Sequence, residues 1–195
     1  MPPRRLTPKE WRESGAPARN RIFASDDPYE EPFLAEVGSR ALLFPMSFAH
    51  EGRELEALRA AAGSFGETTC YLQLYVFAED EWPYWELDLS EAEPYDGIPF
   101  IQENSLFSQE GHWGLLVSDE NHALAAGAET FVDTLVSGLD PPDLDGQALR
   151  FLGHYAELQA STGRRYDWLP VLLAHLYGEE RAAELASRAG WPSES

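Results

Sequence analysis

The densest reactive chemistry in the chain lies in Glu79-Asp80-Glu81-Trp82-Pro83-Tyr84-Trp85-Glu86-Leu87-Asp88, where five carboxylates interleave with three large aromatics. Acids beside exposed rings suit two tasks. Guanidinium and ammonium groups pair with the carboxylates and lie on the rings, which is how a basic protein is gripped. Alternatively, a sugar stacks on Trp while paired carboxyl groups do acid–base work on its glycosidic bond. Residues 84–89 alternate, turning Trp85, Leu87 and Leu89 inward and Tyr84, Glu86 and Asp88 outward. The candidate partner-binding set is therefore Glu79, Asp80, Glu81, Trp82, Tyr84, Glu86 and Asp88. A solvated acidic turn over a Trp-rich core is the plain alternative.

Other reactive types form no recognisable constellation. The five histidines, His50, His112, His122, His154 and His175, match no metal-site spacing. His112 and His122 fall on consecutive strands of an expected hairpin, where facing imidazoles would suit Zn²⁺ or acid–base work; two edge histidines without a role is the simpler reading. Cys70 is the one cysteine and sits among apolar neighbours, as a small core hydrophobe would. Gly63-Ser64-Phe65-Gly66 lacks the first glycine of a nucleophile elbow, because position 62 is Ala. No phosphate-cradling glycine loop occurs, so neither a cofactor nor a metal is expected.

The charge is strongly one-sided. The net charge of the 195-residue chain is −20. From residue 60 to residue 149 there is no Lys or Arg, yet the stretch holds 18 acids. Such a surface repels phosphate backbones, which are bound mainly through Lys and Arg. Direct nucleic-acid binding by this segment is not expected, nor is docking to anionic lipid. Excess acid also serves solubility. No apolar run reaches the roughly 20 residues of a membrane span, and residues 1–5 lack a signal peptide's apolar region, so a cytoplasmic setting is expected. Thirteen of the 14 bases are Arg, the usage of a GC-rich bacterial genome.

The elements that must position these groups read as α+β, with a mostly antiparallel sheet of about five to six strands packed with helices. Residues 1–32 form a basic, Pro-rich, largely extended arm, in which Thr7-Pro8-Lys9-Glu10 reads as a capping box opening one short helix. That helix presents Trp11, either on a loose tail or as an anchor across the acidic domain. Residues 33–140 form the acidic core. Its expected parts are a hairpin over 33–37 and 41–44, a helix over 51–62 and a central strand over 70–77. The strand at 84–89, irregular chain over 90–109, a hairpin over 112–118 and 122–126, and a helix over 128–137 follow. Residues 141–195 read as helical: 146–161, 168–177 capped by Asp167, and 179–189. The last two resemble a helix-turn-helix in spacing, but four bases match four acids between Arg164 and Ala189, so a structural hairpin is expected.

The expected function is binding of a basic protein, as an immunity-type inhibitor covers a toxin or nuclease. The alternatives are a carboxylate-dependent hydrolase acting on a neutral or cationic substrate such as a glycan, and a structural accessory subunit reached by the arm.

Overall fold

The computed structural model describes residues 2–46, 52–75, 83–98 and 103–191. Seven strands make one sheet: β1 (Arg4–Arg5), β2 (Ser39–Leu43), β3 (Thr69–Leu74), β4 (Tyr84–Asp88), β5 (Asn104–Ser108), β6 (Trp113–Val117) and β7 (Ala123–Gly127). Their order is β1-β4-β3-β5-β6-β7-β2, and every neighbouring pair is antiparallel. The fold is α+β, as the sequence pattern requires.

The sheet is apolar on both faces, so both faces are covered. One face carries Cys70, Leu72, Leu87, Leu106, Trp113, Leu115 and Val117. On it lie α3 (Gly52–Gly63) and α4 (Glu129–Ser137), whose buried residues recur at helical spacing: Leu55, Leu58 and Ala62, then Phe131, Val132, Leu135 and Val136. Trp113 stacks on Phe131 with centroids 4.8 Å apart. The other face carries Tyr71, Phe107, Leu116, Leu124 and Leu42. It is shared by the N-terminal segment and by α5 (Leu144–Thr162), α6 (Trp168–Tyr177) and α7 (Glu179–Arg188).

The N-terminal segment is well packed. Its capping box is present, with Thr7 and Glu10 exchanging hydrogen bonds and Pro8 at the start. The helix it opens, α1 (Pro8–Glu10), continues through a π turn (Trp11–Gly15) into α2 (Ala16–Arg19). Leu6 before it, Ala18 within α2, and Ile22 and Phe23 after it are buried. Gly114 allows this approach: a Cβ there would lie 2.6 Å from the Phe23 ring and 2.7 Å from Ile22.

Three expectations are corrected. Residues 33–37 and 41–44 do not form a hairpin: Phe33 bridges Phe23, and β2 pairs along its length with β7. The stretch 90–109 is not irregular throughout, because β5 lies within it and joins β3 to β6. Asn104, Ser105 and Ser108 on β5 are buried, so its polar composition concealed a central strand. Asp167 precedes α6 without capping it and pairs instead with Arg165.

Candidate functional site

Of the seven residues expected to bind a partner, Tyr84, Glu86 and Asp88 are described; Glu79, Asp80, Glu81 and Trp82 lie outside the described residues. The three are half-buried and alternate with buried Trp85 and Leu87. The chain's own N-terminal segment is seated on two of them. Arg4 donates to Glu86 Oε2 through Nε at 3.0 Å and through a second nitrogen, while Gln109 donates to Glu86 Oε1 at 2.8 Å. Arg4 also donates to Glu10 at 2.6 Å. Glu10 is held down to about 2, first by the Thr7 backbone N–H, then by the Thr7 hydroxyl and Arg4. Trp11 stacks on Tyr84 with centroids 3.6 Å apart and planes 14° off parallel. Arg5 places its guanidinium 4.8 Å from the Trp85 ring centre. Asp88 accepts from the Ser90 N–H and hydroxyl, and that hydroxyl leads in holding its carboxyl low.

A second acidic and aromatic assembly lies at the end of the sheet where β6 turns into β7. Ser118-Asp119-Glu120-Asn121 makes the turn, with Asn121 in the left-handed region at φ 63°. The Tyr29 hydroxyl donates to Asp119 Oδ1 at 3.2 Å and lies 3.0 Å from Ser118 Oγ. The Tyr155 hydroxyl, from α5, donates to Glu120 Oε2 at 2.6 Å. Asp27 accepts from the Tyr29 N–H at 2.8 Å. Burial raises the Glu103 carboxyl, and Asp119 and then Asp27 raise it further by like charge. Among the described residues, no Lys or Arg pairs with Asp27, Glu103, Asp119 or Glu120; the nearby Arg19 pairs with Asp26.

Beneath that turn lies His122, fully buried. Its ring meets Tyr29, Phe151 and Trp168 at centroid distances of 5.7, 5.2 and 6.1 Å. Neither ring nitrogen makes a hydrogen bond among the described residues. Burial pulls its pKa down to about 4, opposed by the nearby carbonyls of Pro28 and Glu120 and by Asp119. The ring is thus neutral at pH 7.

His112 and His122 do not face each other. The β6–β7 register runs from Trp113↔Gly127 to Val117↔Ala123, so the two flank opposite ends of the hairpin. At about 3.4 Å per residue they are roughly 20 Å apart. His112 Nδ1 instead lies 2.6 Å from Glu67 Oε1. Glu67 also accepts from Ser108 Oγ at 2.9 Å and from Trp113 Nε1 at 2.8 Å, which anchors the start of β6. Among the described residues, no group of three His, Cys, Asp or Glu side chains is arranged to hold a metal. Cys70 is buried, and burial raises its thiol well above the usual range.

Sequence reading missed the assembly at the turn because Asp27, Tyr29, Glu103, Tyr155 and Trp168 come from four separate stretches. Its local traces are Asp119-Glu120-Asn121, the turn between the strands expected at 112–118 and 122–126, and His122 at the start of the second strand. Comparison of the chain with family models, curated proteins and solved structures finds no match.

Proposed function

We propose that the chain binds a basic protein through the acidic end of its sheet, acting as an immunity-type inhibitor. The observation that carries this reading is the crowding of Asp27, Glu103, Asp119 and Glu120 without a paired cation among the described residues. The Tyr29 and Tyr155 hydroxyls hold Asp119 and Glu120 from behind, and the half-buried rings of Tyr29 and Trp168 leave surface on which a guanidinium packs. Complementary charge of this kind chiefly speeds association and rejects wrong partners. Among the described residues no helix is long and apolar enough to cross a membrane.

The principal cavities among the described residues lie elsewhere. An apolar one is lined by Leu152, Leu169, Leu173 and Trp191; an open one lies beside α3, around Arg59 and Tyr95. The open one also holds Glu56, Glu93 and Asp96, with Glu56 paired to Arg59, and it is where carboxylate-dependent hydrolysis would be tested.

The test uses immobilised chain and a variant carrying Asp119→Lys and Glu120→Lys. The native chain should capture a basic protein from its host at low salt. The on-rate should fall about tenfold or more as salt rises through the physiological range. The double variant should lose the capture. A partner kept at full strength by the variant, or an on-rate indifferent to salt, refutes the reading.

A further inference from the structure

We propose that His112 is the general base of a second site, at the end of the sheet opposite the acidic turn, where it activates water for hydrolysis of a small uncharged ester. This goes beyond the reading of a basic protein partner and does not depend on it. Glu67 is the positioning residue: it holds the imidazole and does not touch the substrate.

The chemistry starts from Glu67, which lies between α3 and β3 with its side chain only 13% exposed. Ser108 Oγ and Trp113 Nε1 each donate to one of its oxygens, and His112 Nδ1 lies 2.6 Å from Oε1. A carboxylate only accepts, so Nδ1 carries the proton and Nε2 keeps the lone pair. That is the tautomer a general base needs, set by a carboxylate behind the ring. Other contacts fix the residue too. Phe65 stacks on the ring with centroids 5.4 Å apart, and the Ala128 N–H donates to the His112 carbonyl at 3.1 Å. Yet the His112 side chain is 48% exposed, and its Nε2 makes no hydrogen bond among the described residues. A pair so open to water adds little stability. What these contacts achieve is an imidazole that is both fixed and accessible.

His112 lines an open cavity of about 470 Å³, a size that suits a small molecule. Buried Ile22 and Val37 give the cavity an apolar part, and Ser39 brings a hydroxyl. Its charged residues are Arg21, which donates to the Glu110 carbonyl at 2.8 Å, and exposed Glu36 and Glu129. One cation against two acids disfavours an anionic substrate and leaves an uncharged one unopposed. Water beside Nε2 gives up a proton to it and attacks the ester carbonyl carbon. The acyl–oxygen bond then breaks, the proton passes from Nε2 to the leaving oxygen, and an acid and an alcohol result. The step needs no further reactant.

The probe is p-nitrophenyl acetate, read by release of nitrophenolate and compared with an equal concentration of free imidazole. The native chain should hydrolyse it with saturation, about tenfold or more faster than imidazole. His112→Gln should lower kcat about a hundredfold. His154→Gln removes an exposed imidazole that pairs with no carboxylate among the described residues, and it should leave kcat unchanged. Glu67→Gln should lower kcat while KM holds. The ¹⁵N shifts of the His112 ring should place the proton on Nδ1 in the native chain and report mixed tautomers in Glu67→Gln. Gly38→Leu, whose Cβ would meet only the Gly127 carbonyl at 3.6 Å, should raise KM by narrowing the cavity. A rate no higher than that of imidazole, full activity in His112→Gln, or equal losses in His112→Gln and His154→Gln overturns the site. So does a native His112 that carries its proton on Nε2. None of these outcomes bears on capture by Asp119 and Glu120, which their double variant tests at the other end of the sheet.

Discussion

Protonating His122 should cost the fold about 3 kcal/mol, and the cost should appear between pH 6.5 and pH 4. The ring is fully buried, and burial lowers its pKa from 6.5 to about 4. In that window the unfolded chain binds the proton and the folded chain does not, so unfolding is favoured as pH falls. Stability from this group is complete above pH 6.5 and lost as pH drops through the folded value. A displacement of that size, at about 1.4 kcal/mol per unit, gives the figure of about 3 kcal/mol. Glu103 works in the opposite sense: its carboxyl is raised, so the folded chain gains its proton first on acidification and is favoured by it. The assay must therefore compare variants, not read a single curve. Urea unfolding of the native chain and of His122→Phe, at pH 7.5, 5.5 and 4.5, isolates the histidine. Phe keeps a flat ring against Tyr29, Phe151 and Trp168 and gives up only the approach of the ring nitrogens to the Pro28 and Glu120 carbonyls. The variant should lose much less stability than the native chain between pH 7.5 and 4.5, whatever its value at pH 7.5. Parallel losses, or an NMR titration of His122 centred near 6.5, refute the reasoning.

Gln147 is buried, accepts from the Phe44 N–H at 2.6 Å and donates to the Pro141 carbonyl at 2.7 Å. Gln147→Ala leaves both backbone groups without these bonds and should cost about 2 kcal/mol or more in urea unfolding. Gly114→Val sets a side chain where the Phe23 ring and Ile22 now pack. It should cost about 1–3 kcal/mol by overpacking, and trypsin should then cleave sooner after Arg12 and Arg19 than in the native chain.

The elements that were legible in the sequence are those whose pattern has a local cause. Tyr84–Asp88 alternates because one face of β4 is core; α4 shows Phe131, Val132, Leu135 and Val136 because one stripe packs on the sheet. The capping box of Thr7 and Glu10 is a contact three residues long and is visible as such. β5 was not legible, because Asn104, Ser105 and Ser108 carry polar groups inside the protein, where Ser108 bonds Glu67 across 41 residues of chain. The pairing of β2 with β7 joins segments about 80 residues apart, and no short-range signal sets it against a hairpin with 33–37. For the site, the acids of β4 were legible and their cover was not. Arg4 and Trp11 read as a basic arm with an anchor, but that they meet Glu86 and Tyr84 is a fact of topology.

Topology also decides which acids of the window from residue 60 to residue 149 remain uncompensated. The arginines outside it pair with few of its acids; Arg19 bonds the Gln73 side chain and Arg21 the Glu110 carbonyl instead. Arg4 takes Glu86 at the β4 edge, Arg150 takes Asp140 after α4, and Arg181 and Arg188 take Asp145 at the start of α5. Arg53 and Arg59 turn to main-chain carbonyls, those of Gly138 and Leu139 and those of Leu89 and Glu91. The turn between β6 and β7 lies beyond all of these. Acids placed for solubility alone would be exposed to water, as Glu129 and Asp133 are on the outer face of α4. Glu103 is instead partly buried against Asp119, with Asp27 adding to the repulsion, and its raised carboxyl shows that the fold bears a cost for the arrangement. A bound guanidinium or ammonium would offset the like-charge part of that cost, while burial, the larger cause, would remain. The proposal of a cationic partner rests on this crowding, and the Asp119→Lys, Glu120→Lys variant tests it against a solubility role.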